Sequence, residues 1–137
     1  MVRRCAAGHS GVMQVFLVED SSIVRERLET MLCAVPGTEI VGHAHGAQAA
    51  IRDILQTRPD LVVLDVQLAE GSGFDVLRAL HAEAPELDVV MLSNYSSDPY
   101  RQIAERIGAR AFFDKTKEFE RVREVIAKGM PCQPSSR

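Results

Sequence analysis

The feature that most constrains this chain is a fivefold alternation of short apolar runs with stretches of helical period. The runs are Met13–Val18, Glu39–Ala44, Leu61–Leu64, Val89–Leu92 and Ala111–Phe113. Leu61-Val62-Val63-Leu64 and Val89-Val90-Met91-Leu92 are apolar without interruption, which suits central strands of a parallel sheet covered on both faces. Between the runs, apolar side chains recur three and four apart: Val24, Leu28, Met31, Leu32 and Val35; Ala47, Ala50, Ile51, Ile54 and Leu55; Tyr100, Ile103, Ala104 and Ile107; Phe119, Val122 and Ile126. Phe74, Leu77 and Leu80 mark a shorter helix. Asp98-Pro99 reads as an N-cap followed by proline at the first helical position, and Gly108 suits a helix end. Five β–α units in strict alternation define an α/β fold with an open, mostly parallel, doubly wound sheet and helices on both faces.

Length and composition set the outer bounds. At 137 residues with 46% apolar content, the chain fits one domain with a proper core. Sixteen basic against 19 acidic residues give a net charge of −3, so direct nucleic-acid binding by a clustered basic face is not expected. No apolar run approaches the roughly 18–20 residues of a membrane span. The basic start Met1-Val2-Arg3-Arg4 is followed by His9, Ser10 and Gln14 and closed by Glu19-Asp20, which argues against a signal peptide. Cys5, Cys33 and Cys132 match neither metal-ligand spacing nor a disulfide framework, so a reducing cytoplasm is the expected compartment. Residues 1–12 and 130–137 fall outside the pattern and are expected to be disordered flanks of a domain over 13–129. On that expectation, translation from Met13 would lose nothing structural.

In a doubly wound sheet, ligands gather beyond the carboxyl ends of the strands. The first apolar run delivers Glu19-Asp20 there, the third Asp65, the fourth Ser93 and the fifth Asp114-Lys115, whereas the second ends in Ala44-His45. Three packed carboxylates repel one another unless a cation sits among them. Magnesium, which favours one or two carboxylates plus phosphate oxygens, suits such a set, and manganese is an alternative. A carboxylate beside the ion can attack a phosphoryl donor, with the Lys115 ammonium neutralising charge and the Ser93 hydroxyl donating to a phosphoryl oxygen. Each residue has a plainer reading by itself: Asp65 and Ser93 as turn residues, Glu19-Asp20-Ser21-Ser22 as a helix N-cap cluster, Lys115 as a solvated loop lysine. Their conjunction, one group per strand end on one rim, favours chemistry.

These residues resemble the receiver domain of bacterial response regulators. The resemblance spans about Met13 to Gly129. It rests on Val18-Glu19-Asp20-Ser21, on Pro59-Asp60-Leu61-Val62-Val63-Leu64-Asp65, on Gly71-Ser72-Gly73-Phe74-Asp75-Val76-Leu77, on Ser93 and on Phe113-Asp114-Lys115. The spacings agree: 45 positions from Asp20 to Asp65, 28 on to Ser93 and 22 on to Lys115. The resemblance implies a flavodoxin-like five-stranded sheet in the order 2-1-3-4-5. It implies Asp65 as phosphoacceptor for a histidine kinase or a histidine phosphotransfer protein. Magnesium would be held by Glu19, Asp20, Asp65 and the backbone carbonyl of Gln67. Phe112 stands where the family places an aromatic switch residue, with plain core packing as the alternative.

Some positions depart from the pattern. Ala69 replaces a usual proline and should leave the loop after Asp65 less restrained. Asn94 is bulkier than the small residue common there, and Thr116 follows the lysine where proline is frequent. Gln67, Asn94 and Tyr95 resemble positions that tune phosphoryl hydrolysis, and a large Tyr95 would shield the phosphoryl group from water. The face made by the fourth helix, fifth strand and fifth helix, with Tyr95, Tyr100, Arg101, Glu118 and Arg121, is the expected contact surface for a downstream protein effector or a phosphorylation-dependent homodimer. For any one of those charges a solvated face is the simpler reading. His43 and His45 form a conceivable metal pair but read more simply as exposed strand histidines.

The leading expectation is a single-domain two-component phosphoacceptor that catalyses only its own phosphorylation and dephosphorylation. Its close competitor is a receiver cut from a longer DNA-binding regulator. An aspartate-nucleophile phosphohydrolase should carry a second acid at position 67, where Gln67 stands. A receiver-like module that is never phosphorylated is disfavoured by the complete set of acids, serine and lysine.

Overall fold

The computed structural model describes residues 3–4, 13–94 and 98–127. Strand β1 is Arg3–Arg4 and β2 is Met13–Val18, followed by helix α1 over Ser22–Cys33. Next come β3 (Thr38–Ala44), α2 (Ala47–Thr57), β4 (Leu61–Asp65), α3 (Gly73–Glu83), β5 (Asp88–Ser93), α4 (Asp98–Ile107), β6 (Ala111–Asp114) and α5 (Phe119–Ala127). The sheet runs β1-β3-β2-β4-β5-β6. Its five long strands are parallel and, counted among themselves, lie in the order 2-1-3-4-5.

Two packed layers explain why the central strands are apolar at every position. Alternate side chains of a strand leave opposite faces. Val15, Leu17, Leu61, Val63, Val90, Leu92 and Phe113 meet Leu28, Leu32, Phe119, Val122 and Ile126 of α1 and α5. Phe16, Val18, Val62, Leu64, Met91 and Phe112 meet Ala50, Ile54, Val76, Leu77, Leu80 and Ala104 of α2, α3 and α4. Helix ends follow their chemistry. Ser21 Oγ accepts from the Val24 amide at 3.3 Å and Ser72 Oγ from the Phe74 amide at 3.1 Å, each satisfying an orphan donor of a first turn. Gly108 ends α4 at φ +125°, with its amide on the Ala104 carbonyl.

Three local features differ from the sequence expectations. Arg3–Arg4 pairs antiparallel with β3, Arg3 opposite Ile40 and Arg4 opposite Glu39, so part of the N-terminal flank joins the sheet and a start at Met13 would remove that pairing. Cys33 is disulfide-bonded. Separation along the chain says little about proximity in space, which is why the spacing gave no sign of it. The loop after Asp65 is tethered despite Ala69: Gly73 N–H donates to the Val66 carbonyl (2.7 Å), Ala47 N–H to the Glu70 carbonyl (2.9 Å), and Gln67 bridges Ser72.

Candidate metal and phosphoacceptor site

Backbone hydrogen bonds carry the strand ladder just far enough to fix the rim residues. Glu19 N–H donates to the Ala44 carbonyl (3.0 Å), Val66 N–H to the Leu92 carbonyl (3.0 Å) and Lys115 N–H to the Ser93 carbonyl (2.8 Å). In register, Val18 lies beside Leu64, Asp65 beside Leu92 and Ser93 beside Asp114. The last residue of each strand is thereby delivered to one edge.

The side chains converge there. Oxygen atoms of Glu19, Asp20 and Asp65 lie within 4.8 Å of one another; Glu19 and Asp65 are buried and Asp20 is exposed. Lys115 Nζ donates to Asp65 Oδ2 at 2.9 Å and to Glu19 Oε2 at 3.2 Å, with only 10% of its side chain exposed. Gln67 N–H donates to Asp65 Oδ1 at 3.4 Å and Ser21 N–H to Glu19 Oε2 at 3.1 Å. Asp20, at the open side, completes a mouth that is acidic outside and lysine-bridged inside. Glu19-Asp20-Ser21 thus serves both readings, because Ser21 caps α1 while the two acids enter the pocket.

Electrostatics marks the pocket as short of positive charge. Burial raises the Glu19 carboxyl above its ordinary range, and Asp65 adds repulsion that Lys115 only partly offsets. Burial likewise raises Asp65 against the pull of Lys115 and the Gln67 amide, with Asp20 adding to the rise. Burial alone would lower Lys115, but Asp65 and then Glu19 more than compensate, so the ammonium is held above its usual value. Three carboxylates and one ammonium leave two negative charges uncompensated. Glu19 Oε1 sits 3.0 Å from Lys115 Nζ, so the single ammonium is shared among both Glu19 oxygens and Asp65 Oδ2. An oxygen-rich set of three carboxylates with a twofold charge deficit fits a hard divalent cation.

Ser93 and Phe112 belong to the other side of the sheet. Ser93 is 1% exposed and Phe112 4% exposed, the latter packed into the α2–α3–α4 layer. Gln67 and Asn94 are exposed at the rim. Tyr95 lies outside the described residues. His43 and His45 are exposed, and the one cluster of three metal-binding side chains among the described residues is Glu19, Asp20 and Asp65.

Two contributions escaped sequence reasoning. A methyl group on Gly73 would sit 2.1 Å from the Asp65 carbonyl oxygen, so only glycine allows α3 to start against the end of β4. The motif contained Gly73, but nothing in the sequence showed what it approaches. The other is Asp114, whose Oδ1 accepts from Thr116 N–H (2.8 Å), Thr116 Oγ1 (2.7 Å) and Lys117 N–H (2.9 Å), folding the turn that presents Lys115.

Fold and pocket together define a doubly wound α/β domain with an acidic, lysine-bridged site at the carboxyl edge of its sheet. The chain belongs to the response regulator receiver domain family, whose model matches residues 15–127. It is 36% identical over 104 residues to the DNA-binding transcriptional activator DevR/DosR of Mycobacterium tuberculosis, covering 76% of this chain and 48% of that protein. The response regulator domain of Thermotoga maritima CheB superposes with a TM-score of 0.79 at 25% identity, covering 90% of this chain and 99% of that one. The Mn(2+)-bound form of the response regulator Rcp1 has the same fold, with a TM-score of 0.77 at 17% identity, covering 91% and 99%. The chain spans about half or less of the length of the first curated relatives it matches. Membership makes it a phosphoacceptor module of two-component signalling. Among the described residues no helix is long and apolar enough to cross a membrane.

Proposed function

We propose that Asp65 accepts a phosphoryl group from a histidine kinase or a histidine phosphotransfer protein in a magnesium-dependent reaction. The observation that carries this reading is the Asp65–Lys115–Glu19 contact, in which one ammonium bridges the expected nucleophile and an expected metal ligand. Glu19, Asp20, Asp65 and the Gln67 carbonyl would hold the ion, Mg2+ or Mn2+, which supplies charge neutralisation for the phosphoryl oxygens. An Asp65 oxygen attacks phosphorus while the P–N or P–O bond of the donor breaks, giving an acyl phosphate and the free donor. Lys115 is already seated on Asp65 and needs little movement to follow the new charge. Ser93 lies at the next strand end to donate a hydrogen bond to a phosphoryl oxygen. The added charge of about −1.5 to −2 beside Ser93 and Lys115 shifts the domain between two conformations. Phe112 reports that shift to the face of α4, β6 and α5, where an effector protein or a second copy docks. Gln67, Asn94 and Tyr95 set how fast water removes the phosphoryl group.

Intact mass spectrometry after incubation with magnesium and acetyl phosphate tests the reading. The wild-type chain gains one phosphoryl group only with the metal present, and Asp65→Asn gains none. Decay of the adduct in the same experiment reads its lifetime, which Tyr95→Ala shortens if that ring excludes water. Equal labelling of Asp65→Asn, or labelling indifferent to EDTA, would sink the assignment.

A further inference from the structure

We infer that Arg101, on the partner-facing side of α4, is a positioning residue for phosphoryl transfer, acting through Phe112 and Glu118 on the turn that carries Lys115. The inference rests on the functional reading above. Arg101 Nη1 donates to the Phe112 carbonyl at 2.7 Å. Its guanidinium lies 5.1 Å from the centre of the Phe112 ring, and Nη2 lies 3.6 Å from Glu118 Oε1. That same Glu118 oxygen accepts from Asp114 N–H at 3.0 Å, one residue before Lys115. Glu118 N–H in turn donates to the Asp114 carbonyl at 2.9 Å. One cation on α4 therefore grips β6 by its carbonyl and its aromatic ring, and grips the Lys115 turn through a carboxylate.

The geometry separates this from an ordinary surface ion pair. Arg101 and Glu118 side chains are 35% and 27% exposed, and at 3.6 Å their attraction alone would stabilise little. The contribution comes from linkage, since displacing α4 withdraws at once the support of Phe112 and the charge partner of Glu118 Oε1, the oxygen that holds the Asp114 amide, leaving only Arg121 on Oε2 at 3.5 Å. Only a guanidinium can serve a carbonyl, a carboxylate and a ring face together; an ammonium is a point charge without the fork. Arg101 is 14 residues from Lys115 in sequence and touches no acid of the pocket, so its effect falls on lysine placement and not on metal binding.

The test measures initial rates of phosphorylation of the full chain by acetyl phosphate across magnesium concentrations, with Asp65→Asn as the control for the labelled position. Arg101→Ala slows the rate at saturating magnesium by about three- to tenfold, while half-saturating magnesium stays unchanged. Arg101→Lys leaves the melting temperature near wild type without restoring the rate. Glu118→Ala slows the reaction similarly, and the double variant is no slower than the worse single one. Rates equal to wild type for Arg101→Ala, a loss that follows weakened magnesium binding, or losses that multiply in the double variant would each overturn the inference. A wild-type chain that takes no phosphoryl group would instead overturn the functional reading itself.

Discussion

Lys115 is the residue on which the pocket turns. It faces two buried carboxylates, and each is pushed toward its neutral form by burial. Removing one partner of such a set leaves uncompensated charge in a poorly solvated place. Lys115→Met is expected to lower the stability of the metal-free domain by about 3 kcal/mol, with magnesium recovering part of the loss. Urea denaturation with and without the metal checks this; an unchanged midpoint would show that the ammonium is not the counterion of the pair. Gly73 poses a steric version of the same dependence. Its missing Cβ makes room for the Asp65 carbonyl, and a gap of 2.1 Å cannot be opened by rotating a side chain, because the obstructing atom is backbone. Gly73→Ala is expected to cost about 2–4 kcal/mol and to displace Asp65, so that phosphorylation falls further than stability alone explains. A variant with wild-type melting and labelling would refute that.

At the scale of elements, the sheet's alternation decides which layer hears which residue. Glu19, Asp65 and Lys115 continue the parity of Leu17, Val63 and Phe113, on the α1–α5 side, while Ser93 and Phe112 continue that of Met91, on the α2–α3–α4 side. A phosphoryl group held between Lys115 and Ser93 would therefore touch both layers at once, a physical basis for coupling a small chemical event to α4. The elements themselves were largely legible in the sequence, because a buried parallel strand must be apolar at every position and a helix covering it must repeat near 3.6. The strand ends were less so. β4 and β5 run one residue beyond their apolar runs, to Asp65 and Ser93, since the ladder continues through polar residues where the partner strand still offers its carbonyls. The antiparallel Arg3–Arg4 strand was not legible at all, because two residues carry no period.

For the molecule as a whole, the charge deficit of one pocket becomes a dependence of stability on pH and metal. The Glu19 and Asp65 carboxyls are raised in the folded state, so the folded chain binds more protons than the unfolded one between the ordinary carboxylate range and the raised values. Stability from these groups is present at the acidic side of that window and is lost as pH rises through it. Lys115, also raised, contributes below the ordinary ammonium value and is lost only in the alkaline range. His43, exposed yet partly desolvated by its neighbours, is lowered first by that desolvation and then by Arg25, and acts in the opposite sense to the carboxyls near its own ordinary value. Comparing wild type with Asp65→Asn cancels His43. Without metal, the variant is expected to melt at or above wild type near neutral pH, and the gap to close as pH falls. Magnesium at about a hundred times its dissociation constant adds roughly 2.7 kcal/mol to wild type and less to the variant. Metal-free melting in which wild type gains on the variant as pH rises would contradict the assigned charge deficit.

The alternation of runs, the identity of each residue at a strand end and the motif spacings were determined by sequence alone, because periodicity and strand parity are local properties of the chain. That made the α/β class, the strand order implied by family resemblance, and the candidates at 19, 20, 65, 93 and 115 readable in advance. Only tertiary structure decided that Lys115 bridges Asp65 and Glu19, that Phe112 lies inside the core, that Gly73 abuts the Asp65 carbonyl, that Cys33 is disulfide-bonded and that Arg101 reaches the Lys115 turn. Those facts depend on distances between residues far apart in the chain. Such distances are set by how layers pack and loops close, and no local pattern records them.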